Sequence, residues 1–383
     1  MSSSFFPPIA TLRELQTPCY IYNTALLQQT LDTAQSEAKK YGYEIHYAIK
    51  ANYNPRLLRQ IAASGLGADC VSGGEIRAAL DAGFAFDKIV YAGVGKADWE
   101  IELALEKEIL CFNVESLAEL LVINELAGKH RKKARIALRI NPDVIANTHH
   151  YIVTGMKESK FGINLDKLNE VLCQLPALKN VSFEGIHCHI GSQITNLDNF
   201  YGLCLRVNEI QKQLASCNLL PRHLNLGGGL GINYKTPEQK VIPDFAAFFQ
   251  LFDKHLKRYG GQRIHFELGR SLVGQCGALL TKTLYVKEGS VKKFAIVDAG
   301  MTELLRPALY QAYHKIENIS SDGALEVYDV VGPVCESTDC FGKAITLNAV
   351  ARHDLILIYS AGAYGESMAS HYNCRRLQDS FFY

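Results

Sequence analysis

The sequence predicts an α/β protein, a (β/α)8 barrel followed by a C-terminal β-rich domain. Three observations lead there. From about residue 24 to 270, eight apolar strand-like runs alternate with amphipathic helical stretches, the count and order of a parallel eight-stranded barrel. After about residue 271 the helices largely stop, and strands separated by glycine and charged turns take over. The runs of the first part close on polar residues, at the strand ends where a barrel builds its active site. A doubly wound open sheet is the rival architecture, and it more often uses about five to seven strands.

CYIYN (19–23) precedes the first barrel helix and is expected to join the second domain. In EIHYAIK (44–50), Glu44, His46 and Ala48 alternate with Ile45, Tyr47 and Ile49, a strand period that Asn52 and Pro55 then end. GADCV (67–71), DKIVYAG (87–93) and EILCFNV (108–114) continue the series. ESLAELLVINELAG (115–128) has apolar residues at helical spacing and opens on Glu115–Ser116. RIALRIN (135–141) is the fifth strand, and the long excursion at 142–182 reads as an insertion carrying THHYIVTGMKESKFGI. Gly155 and its polar flanks permit a lid over 151–160. FEGIHCHI (183–190) and HLNLGGG (223–229) follow, then FAAFFQLFDKHLKRYG (245–260), a helix opened by Pro243–Asp244, and RIHFELG (263–269) closes the set. Beyond it, LLTKTLYVKEG, KKFAIVDAG, VYDVVGPVC and DLILIYSAGAYG read as strands. The expected domains are 24–270 for the barrel and 1–23 plus 271–383 for the β-rich part, with no flexible linker and no internal repeat.

Composition narrows the function. With 383 residues, 48% hydrophobic and 21% charged, the chain has an ordinary globular make-up. Forty basic against 39 acidic residues leave no electrostatic footprint for nucleic acid or membrane partners. MSSSFFPPIATLREL lacks the basic region and apolar core of a signal peptide, and no run approaches a membrane span. The eleven cysteines are scattered singly without a CxxC, which suits reduced core thiols in the cytoplasm. Cys188 lies between His187 and His189, but no second cluster has ligand spacing, so no metal is expected.

The polar residues at the strand ends are Lys50, Asp69, Asn113, Arg139, His189, the triplet Gly227–Gly229, and Glu267. A lysine there can form a Schiff base with a carbonyl cofactor. Each neighbour has a use around pyridoxal 5'-phosphate. Glu267 could keep the pyridine nitrogen protonated, and His189 could stack on the ring. Gly228 and Gly229 let backbone N–H groups approach a phosphate, with Ser192 adding a hydroxyl. Other readings stand beside these. A glycine triplet serves a tight turn equally well, His189 could be a satisfied buried histidine, and Glu267 could pair structurally with Arg270. Asp69 and Arg139 could simply support the barrel mouth.

HYAIKAN, GADCVSGGEI, FNVES, RINPDV, THHYIVTGMKESKFGI, GIHCHIGSQ, NLGGGLGINY, FELGR, DAGMTELLRPALY, VGPVCES and GAYGESMAS occur in this order over residues 17 to 376. Together they closely resemble the diaminopimelate decarboxylases, among the fold-type III pyridoxal-phosphate decarboxylases that also act on ornithine and arginine and share an alanine-racemase-like architecture. The resemblance implies decarboxylation of meso-2,6-diaminopimelate to L-lysine by a head-to-tail homodimer with shared active sites. It matches Lys50 to the Schiff-base lysine, with Asp69, His189, Ser192, Gly228, Gly229, Glu267, Gly269, Arg270 and Tyr364 around the cofactor. Cys335 matches a proton donor supplied across the dimer interface together with Glu336. Arg270, Arg306, Tyr310, Glu336 and Tyr364 match the substrate site. Two arginines with one acid suit a terminus carrying both carboxylate and ammonium, whereas ornithine's bare amine would need a carboxylate. Arg306 beside its proline could instead be a surface residue. One departure is Leu268, where the family usually has proline, and this leaves the turn less stiff. Relatives acting on ornithine, arginine or carboxynorspermidine are the alternative.

Overall fold

The computed structural model describes residues 6–144, 160–376 and 379–383. The 151–160 segment read as a lid therefore lies, except for Lys160, outside the described residues. Contacts divide the chain into two units, one comprising 31–231 with 244–269, the other 1–30, 232–243 and 270–383.

The first unit is a closed barrel of eight parallel strands. Counting from β1 (Cys19–Tyr22) in the other unit, these are β2 (Tyr43–Ala48), β3 (Gly67–Cys70), β4 (Ile89–Tyr91), β5 (Cys111–Val114), β6 (Ala134–Arg139), β7 (Val181–His187), β8 (His223–Asn225) and β9 (Arg263–Leu268). Each lies within one of the eight apolar runs or begins a residue or two before it. The barrel closes where β2 pairs with β9, with His46 beside Glu267.

Helices α1 (Ile9–Arg13) and α2 (Thr24–Lys39) precede the barrel. The strands are then joined by α3 (Pro55–Ala63), α4 (Gly73–Ala82), α5 (Asp98–Glu106), α6 (Leu117–Lys129), α7 (Leu165–Gln174), α8 (Asp198–Ser216) and α9 (Phe245–His255). Their starts are chemically marked. Ser116 accepts the N–H of Glu119 to cap α6, and Asp244 accepts that of Ala247 to cap α9.

Alternation along β9 assigns its two faces. Phe266 packs its ring 4.8 Å from Phe252 and 5.4 Å from Phe248 on α9. His265 and Glu267 take the other face, the lumen. Barrel interiors usually hold branched apolar side chains, but this one holds a histidine chain. His46 Nδ1 donates to the Lys88 carbonyl at 3.1 Å, so its Nε2 accepts from His265 Nδ1 at 2.9 Å. His265 Nε2 in turn accepts from His223 Nδ1 at 2.7 Å.

The second unit contains β10 (Gly277–Glu288), β11 (Lys293–Val297), β12 (Ile316–Asn318), β13 (Leu325–Val331), β14 (Cys340–Asn348), β15 (Leu355–Ile358) and β16 (Phe381–Phe382), with α10 (Arg270–Val273) and α11 (Arg306–Tyr310). Its sheet runs β12-β15-β10-β11-β13-β14, and β1 pairs with both β10 and β16. CYIYN thus joins this sheet. Phe6, Leu12, Cys19, Ile21, Ala278, Leu280, Leu355 and Leu357 form an apolar core within the unit. Three strands lack a sequence signal, β12, β14 and β16. In β14 the run is broken by Gly342 and Lys343, where its pairing with β13 shifts register.

Candidate active site

Lys50 sits in a single turn of 3-10 helix, Ile49–Ala51, directly after β2. Its Nζ lies 3.3 Å from Asp69 Oδ2, and the lysine side chain is 39% exposed while the aspartate has no exposed surface. Asp69 Oδ1 is buried without a hydrogen-bond partner among the described residues. Burial, then the charge of Glu267, pushes the Asp69 carboxyl up, and Lys50 opposes both. Gly269 permits the approach of β9 to this turn, because a Cβ there would lie 2.9 Å from Ala51 Cβ and 3.1 Å from Ala48 Cβ.

Glu267, buried in the barrel interior, accepts three side-chain hydrogen bonds. One oxygen accepts from His187 Nε2 at 3.0 Å, the other from Asn225 Nδ2 at 2.7 Å and Asn113 Nδ2 at 3.2 Å. Burial alone would push this carboxyl up, but His187, through charge and hydrogen bond, and then Lys50 outweigh it. The result is a carboxyl held well below its usual range, ionised although buried.

His189 is half-buried just after β7. Its Nδ1 accepts the N–H of Gly228 at 3.2 Å. Desolvation, then the positive charges of Lys50 and Arg139, hold its pKa well below the ordinary value, so it is a neutral ring. The glycine loop after β8 is tightly set, with Gly227 at φ +64 and Gly229 at φ +110. A Cβ on Gly228 would collide with the Glu267 carbonyl oxygen. Ile194 N–H donates to Gly229 O at 2.8 Å and Gly231 N–H to Ile194 O at 3.0 Å, which stitches this loop to the one carrying Ser192. Arg139 turns to Glu115 at 2.7 Å, a supporting ion pair at its strand's end.

The β-rich unit holds a second constellation. Arg270 Nη1 donates to the Tyr234 hydroxyl at 2.6 Å, and its guanidinium lies 4.7 Å from the centre of the Tyr364 ring. Arg306 is 5% exposed, a buried cation rather than a surface one. Its guanidinium sits 4.8 Å over the Tyr234 ring, and its Nη1 donates to His314 Nε2 at 2.7 Å. Tyr310, half-buried, ends the short helix that Arg306 begins. Cys335 and Glu336 occupy an exposed loop, pinned where Asn373 Oδ1 accepts the Cys335 N–H at 3.0 Å and Glu336 accepts from Tyr372 at 2.7 Å.

The structure therefore gathers Lys50, Asp69, His189, Gly228, Gly229 and Glu267 in one unit, and Arg270, Arg306, Tyr310 and Tyr364 in the other. Sequence reasoning missed His187, Asn225, Tyr234 and His314 as site residues. The inward alternation of β7 and β8 would have flagged the first two.

The barrel residues fit a phosphorylated pyridine aldehyde. They offer a lysine amine at the mouth, an ionised carboxylate for a ring nitrogen, a neutral flat ring, and backbone N–H groups at glycines where a side chain has no room.

A family model described as "Pyridoxal-dependent decarboxylase, pyridoxal binding domain" matches residues 25–274. A diaminopimelate decarboxylase of Bacteroides thetaiotaomicron is 58% identical over 375 residues, covering 98% of this chain and 97% of the relative. One from Aquifex aeolicus is 41% identical, covering 94% of this chain and 84% of its own length. Among solved structures, diaminopimelate decarboxylase from Helicobacter pylori complexed with L-lysine superposes with a TM-score of 0.90 at 39% identity, covering 96% of this chain and 92% of that one. An arginine decarboxylase of a Chlorella virus, at 19% identity and a TM-score of 0.85, shares the fold alone.

Proposed function

This chain belongs to the pyridoxal-dependent decarboxylases, and from that membership we propose that it converts meso-2,6-diaminopimelate to L-lysine and carbon dioxide, the last step of lysine biosynthesis. Pyridoxal phosphate, when bound, supplies the electron sink that lets the carboxylate leave. In this reading Lys50 is the anchoring amine and Asp69 holds its head group. Glu267, kept ionised by His187 and Lys50, would keep a proton on the ring nitrogen. His189, kept neutral, offers its face to the ring. Ser192, Gly228, Gly229 and Gly269 are the proposed phosphate side within the barrel unit, and the family resemblance adds Arg270 as a cofactor contact and Tyr364 as a contact of both cofactor and substrate.

One observation carries the choice of substrate. Arg270 and Arg306 are both buried and both centred on Tyr234. Two buried guanidiniums call for an anion, which the far end of diaminopimelate supplies and ornithine does not. Arg270, Arg306, Tyr310 and Tyr364 are accordingly the proposed substrate contacts. The exposed Cys335 and Glu336 act in the site of a second copy, with the thiol returning a proton to the substrate carbon, so the working form is a head-to-tail homodimer. The barrel unit, 31–231 with 244–269, carries the cofactor lysine, and the β-rich unit, 1–30, 232–243 and 270–383, serves substrate and interface. A cytoplasmic setting fits eleven free thiols, and among the described residues no helix is long and apolar enough to cross a membrane.

The test is carbon dioxide release from meso-diaminopimelate, ornithine, arginine and carboxynorspermidine in parallel. Release from diaminopimelate alone is expected. Activity on ornithine without activity on diaminopimelate would sink the reading.

A further inference from the structure

We propose that His314 and Tyr234 are positioning residues for selectivity toward the distal carboxylate, neutral partners that fix Arg306 without cancelling its charge. The inference rests on the substrate reading above and goes to how Arg306 is kept available.

A buried arginine is ordinarily held by an acid, and a bidentate carboxylate partner satisfies it completely. Arg306 is held otherwise. Its Nη1 donates to an imidazole nitrogen, His314 Nε2, at 2.7 Å. The other ring nitrogen, Nδ1, donates to the Tyr359 carbonyl at 2.8 Å, which fixes the tautomer and leaves the Nε2 lone pair for the arginine. His314 is 1% exposed, and burial, then the charge of Arg306, pushes its pKa down to about 3. It therefore stays neutral at any working pH. Arg306 Nε is buried with no hydrogen-bond partner among the described residues. An N–H left so in a buried cation is a place kept for a ligand oxygen.

Tyr234 couples the two cations. Its hydroxyl accepts from Arg270 and its ring face lies under Arg306, while His314 packs edge-on against the same ring at 5.0 Å. Oxygen and π-face each hold one guanidinium, and neither carries a formal charge. A carboxylate at position 314 would hold Arg306 as firmly, but would occupy the charge meant for the substrate.

The test compares His314→Gln with His314→Glu in the cofactor-loaded enzyme. Gln keeps an uncharged acceptor, whereas Glu supplies the cancelling charge. Calorimetry reads the affinity for L-lysine, which retains the distal carboxylate, against that for 1,5-diaminopentane, which lacks it. The wild-type preference for lysine should persist in the Gln variant within about threefold and fall at least about tenfold in the Glu variant. KM for diaminopimelate should rise in the Glu variant far more than kcat falls. A Glu variant with the wild-type preference overturns the proposal, and so does a Gln variant that loses as much as Glu, which would mark His314 as merely structural. Failure of the wild type to turn over diaminopimelate would instead refute the substrate reading, and the binding comparison separates the two.

Discussion

His187 and Glu267 meet at 3.0 Å inside the barrel, with their side chains 1% and 5% exposed. The contact joins β7 to β9 past the strand between them and, with the charge of Lys50, keeps a buried acid ionised, while Asn225 and Asn113 donate to its other oxygen.

Glu267→Gln removes that charge at nearly constant volume. We expect cofactor still to bind and kcat to fall by about 10²–10³-fold, the scale of losing one preorganised electrostatic group. Steady-state kinetics, normalised to bound cofactor by its visible absorbance, provide the check. An unchanged kcat would remove Glu267 from the chemistry.

Lys50→Ala should abolish the visible band of the lysine-linked cofactor, and Cys335→Ala should abolish turnover while keeping the band. Mixed and reassociated, the two inactive chains should regain up to about a quarter of wild-type activity if a site takes Lys50 from one copy and Cys335 from the other, as statistical pairing of symmetric subunits dictates. No recovery in demonstrated heterodimers would refute a shared site.

Gly228→Ala places a methyl against the backbone oxygen of Glu267, with no flexible side chain to yield. The loop must shift, and both cofactor affinity and thermal stability should drop, the latter by roughly 1–3 kcal/mol for an overpacked site. Denaturant titration and cofactor titration would register it. Wild-type values in both would show that the loop is not a tight cradle.

The lumen histidines give stability a pH dependence. Burial, and for His265 the neighbouring rings, lower the pKa values of His46, His265 and His223. The native rings are therefore neutral, whereas the unfolded chain takes up protons as pH falls below about 6.5. The unfolded state then binds more protons, so stability is complete above that pH and is lost toward acid. Urea midpoints from pH 8 to 5.5 should be level and then fall. A midpoint rising on acidification would contradict this.

Much of the barrel was legible because each strand runs as a short apolar stretch between turn signals, and its last polar residue marks the mouth. Lys50, Asp69 and Glu267 were found that way. His187 and Asn225 were not, because one-dimensional patterns do not reveal which buried polar groups face each other across a closed sheet. Tyr234 was hidden more deeply. It follows the GGGLG turn between β8 and α9, yet segment 232–243 clusters with the β-rich unit, and no local periodicity announces a change of unit. β14 escaped for a local reason, since its glycine and lysine at the register shift read as a turn.

The pairing of β1 with β10 and β16 also sets an order of events during synthesis. Every strand of the barrel has been made before the first residue of β10 emerges. At about 5–20 residues per second, β1 waits on the order of ten to fifty seconds for its first partner. The barrel, with Lys50 and Glu267, can thus close while the β-rich unit is still being added, and a chain arrested between the two would carry the barrel's proposed cofactor contacts without Arg306 or Tyr310, the proposed contacts for the substrate.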